Sequence, residues 1–88
     1  MSENIGAAGN TLVPAVLTLE SMGYRIGWER HDDQREDWHA DGPLGHFWGD
    51  DPLELLGLIT MRELRGVNWK ATDEQIDAFA ARYLPDPK

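Results

Sequence analysis

Histidine and aspartate side chains at close spacing are the residues of this 88-residue chain that could bind a metal ion. His39 and His46 fall in two segments expected to form neighbouring strands, with Asp37 and Asp41 beside them. Two imidazoles and a carboxylate can ligate zinc or another divalent metal. Neither H-E-x-x-H nor C-x-x-C spacing is present, and a solvent-facing histidine pair that responds to pH is the alternative. We predict no resident metal or cofactor, and keep His39, His46 and Asp37 as candidate ligands.

Two pairs of neighbouring carboxylates are the residues that most resemble an acid–base catalytic site. Asp32-Asp33 and Asp50-Asp51 could separate their pKa values if they were buried, but both pairs lie in segments expected at the surface. The chain has no cysteine, no G-x-S-x-G and no glycine loop that precedes a phosphate-binding lysine. We therefore predict that the protein is not an enzyme.

Acidic residues are concentrated in one part of the chain. The formal net charge is −8, and residues 29–51 hold eight acidic and two basic side chains, a local net charge of −6. Such a surface repels phosphate backbones and attracts a basic partner or a cation, although solubility alone would also explain it. We expect no direct nucleic-acid binding. No apolar run approaches a membrane span and no leader is evident, so we expect a cytoplasmic protein without a membrane contact.

The segment that should position these groups is a helix over Pro52–Arg65. Asp51 is a natural N-cap, Pro52 suits the first position, and Glu54 completes a capping box. Gly66 is a typical residue for ending a helix.

Apolar residues surround most of that helix. The expected core stripe has four members: Leu53, Leu56, Thr60 and Leu64. Leu55 and Ile59 widen it, while Leu58 lies nearly opposite Leu53. A helix that is apolar over most of its circumference is normally covered on more than one side. The second cover could be the sheet, another helix, or a second subunit in a homodimer through the helix 52–65, with contacts from Leu55, Leu58 and Met61.

The remaining pattern predicts an α+β fold: a helix, a three-stranded antiparallel meander, then two helices packed on one face of the sheet. Alternation indicates strands over residues 24–30, 38–40 and 46–48, and Thr72 with Gln75 predicts a capping box for the last helix. We expect a disordered N-terminal segment over 1–10, one domain over 11–85, and a tail over 86–88.

The hairpin determines which side chains share a face. A four-residue loop over 41–44 would place Ala40 opposite Gly45, His39 opposite His46, and Trp38 opposite Phe47. The core face would then hold Trp38, Ala40 and Phe47 with Ile26 and Trp28, and the other face His39, His46 and Trp48. A one-residue slip would reverse this assignment. Whether Trp48 is exposed or covered by the first helix stays open.

After that hairpin, the run Gly49-Asp50-Asp51-Pro52-Leu53-Glu54-Leu55-Leu56 resembles the strand-to-helix joint of small antitoxins with a partial RNase H-like fold. The likeness covers one hairpin and one helix, and it implies an antitoxin-like role as one alternative. An enzyme-accessory subunit and a metal- or pH-responsive module are others. Our leading prediction is a small, non-catalytic protein–protein interaction or adaptor module with an unidentified, basic protein partner. Its predicted contact residues are Trp48, Asp37, Asp41, His39, His46 and Leu58.

Overall fold

A computed structural model describes residues 3–6 and 10–84. It confirms the predicted α+β order with the following elements: α1 (Leu12–Ser21), β1 (Arg25–Arg30), β2 (Glu36–Gly42), β3 (Gly45–Gly49), α2 (Pro52–Arg65) and α3 (Asp73–Tyr83). The predicted N-terminal segment is described only at 3–6 and 10, where there is no helix or strand, and the predicted tail over 86–88 lies outside the described residues.

Helix α2 begins and ends where the sequence indicates. The Glu54 backbone N–H donates to Asp51 Oδ1 at 2.7 Å, and the Asp50 N–H donates to Glu54 Oε1 at 2.6 Å. Pro52 stands in the first turn, where a missing N–H costs nothing. Gly66 ends the helix with φ of 85°, a conformation that disfavours residues with a Cβ.

The hydrophobic core is a small layer between the sheet and the first two helices. Its buried members are Leu19 from α1, Tyr24, Ala40 from β2, and Leu55 and Ile59 from α2. The predicted core stripe of α2 is therefore displaced. Leu53, Thr60 and Leu64 are exposed, and Leu64 retains 81% of its accessible surface. The physical reason is that α1 and the sheet both meet α2 on the side of Leu55 and Ile59, and nothing among the described residues covers the side of Leu53 and Leu64.

The sheet is an antiparallel meander in the order β1-β2-β3. The predicted hairpin register is wrong by two residues: Ala40 pairs with Phe47, and Gly42 pairs with Gly45. The loop is thus shorter than predicted, because Asp41 and Gly42 continue the strand. A Cβ at Gly42 would lie 2.7 Å from the Tyr24 ring, so this close packing requires glycine.

A two-residue shift preserves the face of every side chain, because the side-chain period of a strand is two. The core face carries Ile26, Trp38, Ala40 and Phe47, as predicted. Trp28 lies on the same face but is 47% exposed, so the expectation that it belongs to the core is wrong. Its ring contacts Trp38 at a centroid distance of 6.0 Å, beyond the part of the sheet that the helices cover.

Helix α3 has the predicted capping box and an uncovered apolar side. Gln75 N–H donates to Thr72 Oγ1 at 3.2 Å, and Thr72 N–H donates to Gln75 Oε1 at 2.9 Å. None of its residues is buried, although Ile76, Phe79 and Tyr83 recur at helical spacing. Within the described ranges, no helix has the length and apolar character needed to cross a membrane.

Replacing Ile59 with alanine should lower the free energy of unfolding by about 2–5 kcal/mol, because Ile59 is fully buried and the substitution leaves a cavity. Leu64→Ala is the matched control. We expect a change within about 0.5 kcal/mol there, since Leu64 is exposed. Urea unfolding curves of the two variants provide the comparison. A larger loss for Leu64→Ala than for Ile59→Ala would show that the wrong side of α2 has been assigned to the core.

Candidate functional site on the open sheet face

The sheet face that points away from α1 and α2 carries a histidine pair. Along β2 and β3, alternation places Asp37, His39 and Asp41 on this face with His46 and Trp48. We call this surface, with the flanking Glu29, the open face. The strands hold these groups in place because Ala40 and Phe47, which alternate with them, are packed on the opposite side.

His39 and His46 are in direct contact. His39 Nδ1 and His46 Nε2 lie 3.2 Å apart, so one nitrogen donates a hydrogen bond and the other accepts it. The ring centroids are 5.2 Å apart. The two residues are diagonal neighbours rather than the directly opposed pair that the sequence predicted, because His39 pairs with Trp48 and Asp41 pairs with His46. Diagonal neighbours lie within reach of such side chains.

Each imidazole has a carboxylate near its second nitrogen. Glu29 Oε1 lies 3.9 Å from His39 Nε2, and Asp41 Oδ1 lies 4.0 Å from His46 Nδ1. This carboxylate–imidazole–imidazole–carboxylate row resembles the arrangement around metal-bound histidines, in which a carboxylate orients the nitrogen that does not bind the metal. Among residues 3–6 and 10–84, however, no group of three or more histidine, cysteine or acidic side chains is placed to hold a metal ion.

Asp37, the third predicted metal ligand, is engaged elsewhere. His31 Nε2 donates to Asp37 Oδ2 at 2.6 Å. This hydrogen bond holds the pKa of Asp37 below its ordinary value of 3.8, outweighing partial desolvation, which acts in the opposite direction. Asp37 therefore connects the β1–β2 loop to β2. It lies on the open face, opposite Glu29, but its carboxylate is hydrogen-bonded to His31 and forms no ion pair with His39 or His46.

Trp48 is the largest exposed side chain on the open face. It retains 65% of its accessible surface, and its ring lies 6.0 Å from the His46 ring. Beside it runs a groove of about 450 Å³ along the outer edge of β3, which we call the β3 groove. Its lining residues are His46, Phe47, Trp48, Leu58, Trp69 and Lys70.

The acidic character of the hairpin is only partly neutralised. Arg30 donates to Glu36 at 3.2 Å, and both side chains are well exposed. Hydrogen bonds from the Trp28 indole and from Arg30 lower the pKa of Glu36. These contacts lie at the far end of β1 and β2, so Glu29 and Asp41 remain as the carboxylates nearest the histidine pair.

The structure brings together most of the contact residues predicted from the sequence. The open face carries His39, His46, Asp37, Asp41 and Trp48, with the Asp37 carboxylate held by His31, and Leu58 lines the adjoining groove. The sequence analysis did not identify four residues that border the histidine pair, Asp37 or the β3 groove: Glu29, His31, Trp69 and Lys70. Strand pairing could have indicated Glu29. Gly27 pairs with His39, and Glu29 lies two residues further along β1, on the same face of the sheet. No sequence signal places Trp69 and Lys70 beside β3, because they follow α2 in a connection without regular structure.

Comparison with known proteins identifies no family for this chain. No family model matches the chain, and no curated protein and no solved structure matches it. The functional argument therefore depends on the geometry alone.

Proposed function

We propose that the protein is a small, non-catalytic interaction module that binds a protein partner through Trp48 and the β3 groove. The observation that carries this proposal is the exposure of a large aromatic ring beside an apolar groove, both held on a paired strand. Tryptophan is enriched among the residues that dominate binding energies, and such residues cluster where a pocket adjoins them.

Charge indicates the chemistry of the partner. Glu29 and Asp41 flank the histidine pair next to Trp48, within the segment of local net charge −6. A partner that presents an apolar side chain to the groove and basic side chains to these carboxylates would be complementary. Electrostatic complementarity mainly raises the association rate, so binding should weaken at high salt.

The absence of catalysis is part of the proposal and is supported by the surroundings of the titratable groups. Within the described part of the chain, no polar or charged side chain is buried. Burial is the commonest means of shifting a carboxylate or imidazole pKa toward a catalytic value. The cytoplasm is the compartment we expect, and an antitoxin-like or enzyme-accessory role would be a special case of this interaction.

Trp48→Ala should strongly weaken binding of the partner, and Trp28→Ala should not. Trp28 is a matched control because it is also an exposed tryptophan of the same sheet, at 47%, but lies outside the β3 groove. After affinity purification of partners with the intact chain, titration calorimetry would give the dissociation constants. We expect about a 30-fold or greater loss of affinity for Trp48→Ala. Equal affinities for the wild type and Trp48→Ala would remove this surface from consideration.

A second candidate function, a metal- or pH-responsive module, is favoured by the 3.2 Å contact between His39 and His46. Their facing nitrogens are close enough for one metal ion to bind both at usual zinc–nitrogen distances. Protonation of both rings would leave two donors facing each other and break the contact. Either event would change the open face next to Trp48.

Adding zinc should shift the ring-proton NMR signals of His39 and His46 together. His31 is an internal control, because it is bonded to Asp37 and takes no part in the pair. His46→Gln should abolish the response of His39. Unmoved signals at millimolar zinc, or equal shifts of all three histidines, would count against the metal version.

A further inference from the structure

Helix α3 forms without cover from the rest of the described chain. Its apolar residues Ile76, Phe79 and Tyr83 are each more than half exposed, and no residue of the helix is buried. Isolated helices shorter than about 12–15 residues are marginal in water, and α3 has 11. A capping box contributes only about 1 kcal/mol, so a stable α3 requires packing of its apolar side.

That apolar side forms one wall of a second groove, which we call the α2–α3 groove. Met61 and Arg65 from α2 also line it, together with Trp69 and Lys70 from the connection that follows α2. The groove has a volume of about 510 Å³ and its lining is mainly apolar. Phe79 and Tyr83 continue the apolar surface along α3, with ring centroids 4.9 Å apart.

Side chains of both charge signs surround this groove, and those of the described residues form no salt bridges with one another. Residues 62–70 contain three basic side chains and one acidic side chain, a net +2, whereas α3 contains three acidic side chains and one basic side chain, a net −2. Within residues 3–6 and 10–84, none of these groups takes part in a salt bridge. A second copy of the chain offers both an acidic α3 and a basic end of α2, which complement the same two segments of the first.

The apolar area is large enough for a stable pair. Apart from Leu64, residues 61–84 contain six large apolar side chains that are exposed by 42–74%. At on the order of 100 Å² each they amount to about 600 Å² per copy, the lower end of the roughly 600–1,000 Å² that each partner buries in a specific interface. These residues are Met61, Val67, Ile76, Phe79, Tyr83 and Leu84.

We infer that a second copy of this chain occupies the α2–α3 groove, so that α3 of each copy packs against α3 and the C-terminal end of α2 of the other. A twofold axis makes the same surface serve both copies and closes the assembly at two. This pairing shares Met61 with the homodimer expected through Leu55, Leu58 and Met61, but it does not use Leu55, which is fully buried within one chain. It does not depend on the proposed partner site, although Trp69 and Lys70 border both grooves.

Sedimentation equilibrium from micromolar to millimolar concentration tests this dimer. The wild type should approach twice the chain mass of 9.9 kDa. Phe79→Asp should raise the dimer dissociation constant about 30-fold or more, because it places a charge in the covered apolar surface. Leu17→Asp is the matched control: Leu17 is 59% exposed and Phe79 is 54% exposed, but Leu17 lies on α1 outside the groove, so its dimer should persist.

Trp48→Ala distinguishes the dimer interface from the partner site, because this variant should lose affinity for the partner and still dimerise like the wild type. Circular dichroism provides a second readout, because Phe79→Asp should lose helical signal as α3 loses its cover. A wild type that stays monomeric at millimolar concentration would overturn the inference. So would a Phe79→Asp variant that dimerises like the wild type, or an assembly larger than two.

Discussion

The fold depends on the contact of one side of α2 with both the sheet and α1. Leu55 and Ile59 are fully buried there, together with Leu19 and Ala40, and these few side chains form nearly the whole interior. A chain of this length buries only about 60–65% of its unfolded surface, so it can fill one layer and not two. Every face that does not meet this layer is left to solvent or to a partner.

This constraint explains why the chemistry-bearing residues lie at the surface. The core side of the sheet is used by Ala40 and Phe47, and so His39, His46 and Trp48 must point to the uncovered side. The histidine pair is organised by strand pairing and by Glu29 and Asp41, without burial. Such a surface is consistent with the proposed recognition role, in which exposed groups meet a complementary surface.

Local signals in the sequence were sufficient for the element order and the helix ends. Asp51 and Gly66 delimit α2 as predicted, because capping depends on neighbours along the chain. The face assignment of the hairpin also held, since an error of two residues does not move a side chain across the sheet. The direct His39–His46 pairing failed because the loop length depended on close packing of Gly42 against Tyr24, which is a tertiary contact. The predicted core stripe of α2 was wrong for a related reason. Leucines occur on most sides of this helix, so the positions of α1 and the sheet determine that Leu55, and not Leu53, is buried.

The central claim is that one sheet face is covered and the other is open, and solvent exposure of the four tryptophans tests it most directly. A soluble gadolinium chelate broadens the NMR signals of ring protons that it can approach. We expect the Trp48 indole to broaden most and Trp28 next, with Trp38 and Trp69 clearly less affected, in line with their partial burial. A Trp48 ring as well protected as that of Trp38 would show that the open face is covered, and it would contradict the account.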